Sequence, residues 1–234
     1  MKTVIITGCS SGLGWGMTKY FLSKGYSVLG ISRRVPEDLI QYQQFKHASI
    51  DLSQSLNTTK LDELFQGIEQ VESAVLNAGI LGEIKDMKET SLEEIDKVMQ
   101  INVWANKQFL DYLLAKVRVK QVVAISSGAS INGNRGWSAY SISKAALNMM
   151  VKLYAAEHPQ VHFTSLAPGL INSDMQDYLC HQVDEEVFPS VNRLKQAKET
   201  GVMPTPEEAG EIVGSSLEKL MALESGAYAD VRKL

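Results

Sequence analysis

Tyr140 and Lys144 stand four residues apart in AYSISKAALNMM, residues 139–150. The alanines, leucine and methionines around them read as helix, and a four-residue step puts two helical side chains on one face, one above the other. A phenol of ordinary pKa ~10 exchanges protons poorly near neutral pH unless a cation supports its phenolate, and a lysine one turn away supplies that cation. Ser126 and Ser127 follow the apolar run QVVAI, thirteen residues before Tyr140 in the case of Ser127, and such a hydroxyl can hold a carbonyl oxygen. These residue types together describe a proton donor, its electrostatic support and a polariser of a carbonyl. Each also has a plainer use, since serines after strands cap and turn.

The elements that must position them are written as short β-branched runs: TVIIT (3–7), YSVLGIS (26–32), HASID (47–51), SAVLN (73–77), QVVAIS (121–126) and VHFTSLA (161–167). Continuous apolar strands separated by amphipathic helices indicate parallel strands buried on both faces and joined by right-handed crossovers. The expected fold is an α/β, Rossmann-type doubly wound parallel sheet, with residues 1–234 forming one domain. Helix signals agree: Lys24-Gly25 closes the first helix, Ser91 and Glu94 make a capping box, and Thr205-Pro206 with Glu208 opens a late helix. Residues 169–200 are the least regular and are expected to form a loop-and-helix flap over the site.

Composition narrows the function classes. A net charge of -4 leaves no basic surplus for nucleic acid or anionic membrane, so a small-molecule substrate is expected. The two cysteines, Cys9 and Cys180, lack metal-type spacing and fit unpaired thiols in a reducing compartment. The four histidines are scattered and are assigned surface or core roles, and no metal site is expected. Trp104 and Phe109 are expected to pack in the core. The N-terminal apolar run stops at a Gly/Ser turn without a cleavage signal, and no run of roughly 18 apolar residues occurs, so a cytoplasmic location is expected.

TGCSSGLG, Thr7 to Gly14, lies between the first strand and the first helix. Glycines 8, 12 and 14 let the backbone turn tightly and let a pyrophosphate approach the helix N-terminus, where free N–H groups favour anions. At the end of the second strand Ser32 stands where an acid would repel a ribose 2′-phosphate, and Arg33 and Arg34 follow, which favours NADPH over NADH. Asp51 lies where an adenine edge would be met. Asn77 and Gly79 end the fourth strand at the carboxyl edge, where doubly wound folds bind ligands. Asn102 sits among apolar neighbours and must find partners if buried.

These motifs resemble, in order and spacing, those of the short-chain dehydrogenase/reductase family: Thr7 to Gly14, Asn77-Ala78-Gly79, Asn102, Ser127, Tyr140 with Lys144, and Pro168-Gly169. The resemblance runs over essentially the whole chain. It implies that Tyr140 is the general acid in reduction, that Lys144 lowers its pKa and holds the nicotinamide ribose, that Ser127 polarises the carbonyl, and that Asn102 supports a proton-relay water. It further implies a dinucleotide site of Gly8, Ser10, Ser11, Gly12, Leu13, Gly14, Ser32, Arg33, Arg34, Asp51, Leu52, Asn77, Ala78, Gly79, Pro168, Gly169, Ile171 and Ser173 beside Tyr140 and Lys144.

Within that family the likeness extends to sepiapterin reductases and to bacterial relatives that reduce benzil-type diketones. GWSAYSISKAA resembles their segment with a tryptophan before the tyrosine, here Trp137; PGLINSDM, with Met175, resembles their stretch after the sixth strand; and Asp230 in SGAYADVRKL matches a pterin-anchoring aspartate. The implied substrate contacts are Ser127, Trp137, Tyr140, Met175 and Asp230. Two departures stand out. Ser11 replaces the arginine that NADPH-specific members often carry in the glycine loop, which leaves the 2′-phosphate to Arg33 and Arg34, and Ser173 replaces a threonine while keeping its hydroxyl. Resemblance also implies a homodimer or homotetramer packed through helices near 92–115 and 138–157. Two alternatives remain open: a reductase for a 3-oxoacyl thioester, steroid or sugar, and a non-catalytic NADP(H)-sensing protein.

Overall fold

Successive residues of a strand face opposite sides of its sheet, so a strand covered on both faces must be apolar at nearly every position. The computed structural model, which describes residues 1–234, follows that rule. Its strands are β1 (Thr3–Thr7), β2 (Ser27–Ser32), β3 (Phe45–Ser49), β4 (Gln70–Leu76), β5 (Arg118–Ile125), β6 (His162–Ala167) and β7 (Ala227–Asp230). They form one all-parallel sheet in the order β3-β2-β1-β4-β5-β6-β7. In β1, Ile5 faces one core while Val4 and Ile6 face the other; in β5, Val122 and Ala124 oppose Val123 and Ile125 in the same way.

One face is covered by α2 (Thr58–Leu64), α4 (Ala105–Lys116) and α5 (Ser138–Glu157), through Leu61, Phe109, Leu110, Leu147 and Val151. The other is covered by α1 (Gly12–Ser23) and α8 (Pro206–Leu220), through Met17, Phe21, Val213 and Leu217. The expected capping box is present, Ser91 capping α3 (Leu92–Met99) with Glu94 answering, and α8 opens at Thr205 as expected, with Glu208 completing a second box. Gly25, at φ +76, ends α1 as expected. The chain reverses its strand order between β1 and β4, so the carboxyl ends of those strands open the crevice in which such sheets bind ligands.

The structure corrects the sequence reading in three places. β3 begins two residues earlier than HASID, which leaves Asp51 in the following turn rather than at the strand end. A seventh strand, β7, extends the sheet beyond β6. Helices α3 and α4 are joined by a π-helical turn over Gln100–Trp104, and that turn rotates Trp104 outward to 47% exposure, whereas Phe109 is buried at 1%. Residues 169–200 combine loops with two short helices, α6 (Asp174–His181) and α7 (Asn192–Glu199). Leu179, Val191 and Leu194 of that segment pack with Leu81, Ile84 and Tyr140 as a third apolar cluster. No helix is long and apolar enough to cross a membrane.

Candidate active site

Tyr140 enters from the first turn of α5 and Lys144 from the next, and both are nearly sealed from solvent, at 8% and 4% exposure. Lys144 Nζ donates to the carbonyl oxygen of Ile125, the last residue of β5, at 2.7 Å and lies 5.7 Å from the centroid of the Tyr140 ring. Burial disfavours the charged form of each group. It pushes the Lys144 ammonium down to about 8. It raises the Tyr140 phenol above its ordinary value, with the Ser127 hydroxyl pulling the other way. The phenol therefore retains a proton to give. Ser127 Oγ accepts the backbone N–H of Ala129 at 3.1 Å, which leaves its own O–H free to donate.

Asn102 is fully buried in the π-helical turn, a local irregularity that recurs at functional sites. Its Oδ1 accepts from Ile80 N at 2.8 Å, and its Nδ2 donates to Ile80 O and to Ser143 Oγ, both at 2.9 Å. The side chain thus holds the segment after β4 against α5. Gly79 shows how tightly: an added Cβ would come 3.1 Å from Asn102 Oδ1 and 3.4 Å from Lys144 Nζ.

The turn after β1 is fixed from beneath by Thr7, whose Oγ1 accepts from Asn77 N at 2.9 Å and Ala78 N at 3.0 Å. Asn77 Nδ2 returns donations to Thr7 O and Gly8 O, so the two strand ends form one unit. Gly8 requires its positive φ of 69°, and a Cβ on Gly14 would meet Gly8 O at 2.1 Å. Beside this loop Arg34 Nη2 donates to Ser11 Oγ at 3.4 Å. The arginine ion pairs of the chain are Arg135 with Asp86 and Arg232 with Asp230, so neither Arg33 nor Arg34 is held in a salt bridge. Ser32 Oγ is engaged by His47 Nε2 at 2.9 Å and by Arg34 O at 2.7 Å, and acts as a brace for the turn that presents the arginines. Asp51 likewise serves its own turn, accepting from Ser53 N at 2.9 Å, a bond that holds its carboxyl below the ordinary range.

A cavity of about 930 Å³ runs from Arg33 and Arg34, over Gly8, Leu13 and Asn77 to Gly79, to Ser127, Tyr140 and Lys144. Ser10, Ser11, Gly12, Ser32, Asp51, Leu52, Ala78, Pro168, Gly169, Ile171 and Ser173 also line it, and so do Trp137 and Met175. Three expected residues do not. Gly14 lies behind the loop because its space is taken by Gly8 O, and Asn102 lies behind Ile80, which it holds. Asp230 is engaged with Arg232, which donates from Nε to Oδ1 at 2.8 Å and from Nη2 to Oδ2 at 2.5 Å; Arg232, not Asp230, faces the cavity.

A sequence profile described as short chain dehydrogenase matches residues 2–184. The chain belongs to the short-chain dehydrogenase family. Short-chain dehydrogenases are oxidoreductases that use a nicotinamide dinucleotide, NAD(H) or NADP(H). Similar relatives include a benzil reductase ((S)-benzoin forming) of Bacillus subtilis, 29% identical over all of this chain and 99% of its own length. A benzil reductase of Bacillus cereus is 30% identical over 93% of this chain and 94% of its own length. Among solved structures, a short chain dehydrogenase/reductase from Saccharomyces cerevisiae superposes with a TM-score of 0.86 at 24% identity, covering 99% of this chain and 96% of that one.

The cavity fits a dinucleotide of this family. The loop after β1 has no side chain between its backbone and the opening at Gly8 and Gly12, the α1 N-terminus faces the same space, and the guanidinium groups of Arg33 and Arg34 stand at the far end. Sequence reasoning missed three contributors. Thr7 reads in sequence only as the start of a motif. Arg232 was overshadowed by Asp230 two residues away. Ser190, which accepts the Trp137 indole N–H at 2.8 Å and so pins residues 189–191 to the mouth, carries no local signal.

Proposed function

We propose that the protein is an NADPH-dependent carbonyl reductase that converts a ketone or 1,2-diketone of benzil-like size to the alcohol. The observation that carries this reading is the convergence of Ser127, Tyr140 and Lys144 at one end of a single cavity whose other end is walled by Arg33 and Arg34. When bound, the nicotinamide supplies the hydride to the carbonyl carbon. The Ser127 O–H, left free by its bond from Ala129, donates to the carbonyl oxygen and withdraws charge from it. The Tyr140 O–H gives that oxygen its proton, and the Lys144 ammonium one turn away supports the phenolate left behind. Burial at 8% and 4% exposure keeps water from competing for these charges.

Arg33 and Arg34, neither of them in an ion pair and Arg34 reaching Ser11, suit a 2′-phosphate and support NADPH over NADH. Trp137, Leu170, Met175 and Leu179 give the substrate end an apolar wall suited to aromatic ketones, in keeping with the relatives named as benzil reductases. The pterin reading loses its anchor, because Asp230 is turned to Arg232. Exposed Trp104, Ile142, Met149 and Leu153 on or beside α4 and α5 support assembly of copies through those helices. Two free thiols, Cys9 and Cys180, suit a cytoplasmic enzyme. The test is a carbonyl panel containing benzil, sepiapterin and an acetoacetyl thioester, run in parallel with NADPH and NADH. Turnover of benzil with at least tenfold preference for NADPH, about 1.4 kcal/mol in recognition, is expected. Cofactor binding without turnover of any member would overturn the enzymatic reading.

A further inference from the structure

Asn148 lies on α5 one turn beyond Lys144, so Tyr140, Lys144 and Asn148 follow one another at steps of four along a single helix face. It does not line the cavity. Both ends of its amide are engaged: Oδ1 accepts from Ser126 Oγ at 2.6 Å, and Nδ2 donates to Ser130 Oγ at 2.9 Å. Ser130 in turn directs its own hydroxyl proton to the carbonyl oxygen of Ser127 at 2.6 Å. The result is a directional relay from helix to loop, N–H to O–H to C=O. Tyr228, from β7, donates to the same Ser127 carbonyl at 3.4 Å.

Ser127 needs such support. It follows the last residues of β5, at the start of an irregular stretch that runs to Trp137, with only a short 3₁₀ turn over Gly128–Ser130. Its hydroxyl and the Tyr140 hydroxyl must meet one oxygen atom, and small errors in such geometry cost large factors in rate. A bond network that refers Ser127 to the helix carrying Tyr140 couples the two positions.

We propose that Asn148 is a positioning residue for carbonyl reduction, holding Ser127 in register with Tyr140 through Ser126 and Ser130. The proposal rests on the reading of Ser127 as the group that holds the substrate carbonyl. Neither end of the amide is replaceable by an apolar side chain, since its loss frees the Ser130 hydroxyl to rotate and leaves Ser126, buried at 2% exposure, without its acceptor.

The experiment measures kcat and KM for benzil with NADPH, and the NADPH dissociation constant by fluorescence, for Asn148→Ala, Ser130→Ala, Ser130→Thr, Ser127→Ala and the double variant Asn148→Ala/Ser127→Ala. Asn148→Ala and Ser130→Ala are each expected to lower kcat about tenfold, the effect of losing one orienting hydrogen bond, while NADPH affinity stays within about twofold. Ser130→Thr keeps the hydroxyl and is expected to retain most of kcat. In the Ser127→Ala background the Asn148 substitution is expected to change kcat by less than about twofold, because the residue it positions is gone. An equal loss in both backgrounds assigns Asn148 a general structural role and overturns the proposal, as does an unchanged kcat in Asn148→Ala. If Asn148→Ala does not fold, the contrast between Ser130→Ala and Ser130→Thr decides: equal activities overturn it. A wild type inactive on every carbonyl sinks the reductase reading along with this one, whereas an active wild type indifferent to these substitutions sinks only the positioning role.

Discussion

Replacing Lys144 with methionine tests the electrostatics of the site without any substrate. The Lys144 ammonium is buried and its pKa falls from an ordinary 10.5 to about 8. Between those values the unfolded chain holds a proton that the folded chain has lost, so stability contributed by this group rises with pH across that window. Below pH 8 the amine is charged in both states and the desolvation cost is present in full. At about 1.36 kcal/mol per pKa unit, the wild type should gain about 2–3 kcal/mol relative to Lys144→Met between pH 7 and pH 10. Methionine fills the aliphatic stem and has no proton to lose, and every other titration cancels in the comparison. Urea unfolding of the dinucleotide-free proteins at the two pH values reads the effect. With slopes of about 1–3 kcal/mol per molar, the gap between midpoints should shift by about 1 M in favour of the wild type at pH 10. A gap that is the same at both pH values would show that Lys144 titrates near its ordinary value and that burial does not disfavour its charge.

Removing both guanidinium groups with Arg33→Ala/Arg34→Ala should raise KM for NADPH at least tenfold, about 1.4 kcal/mol or more, and leave KM for NADH nearly unchanged; parallel titrations of the two cofactors check it. Asn102→Ala strips partners from Ile80 N, Ile80 O and Ser143 Oγ, and thermal or urea unfolding should record a loss of about 3 kcal/mol. Trp137→Phe keeps an aromatic wall but breaks the bond to Ser190, so KM for benzil should rise several-fold, by about 1 kcal/mol, with KM for NADPH unaffected.

The parallel sheet was legible because strands buried on both faces cannot hide their apolar runs, and TVIIT, QVVAI and HFTSLA read the same in sequence and in space. β7 was not, because AYAD is four residues long and only Ala229 of it is buried, so it lacks the continuous run that marks a central strand. The π-helical turn at Gln100–Trp104 adds less than one turn's worth of phase, which periodicity over a helix of this length does not register, and Trp104 was misplaced for that reason. That Ser127, Tyr140 and Lys144 would meet at one cavity could be read because residue type and spacing are constrained together. Asp230 could be matched by position but not by environment: its bidentate pair with Arg232 depends on the backbone geometry of a short 3₁₀ turn after β7. The Trp137 to Ser190 bond joins residues 53 apart, a separation over which sequence pattern is silent.

The central claim is that the Tyr140 hydroxyl gives the proton to a substrate carbonyl, and Tyr140→Phe tests it most directly. Phenylalanine keeps the ring in the apolar cluster with Leu81, Ile84 and Leu179 and removes one oxygen. With NADPH and benzil, kcat should fall by about 10²–10⁴, the range for loss of a positioned acid, while NADPH still binds with an affinity close to that of the wild type. A Tyr140→Phe enzyme that keeps most of its kcat would contradict the account.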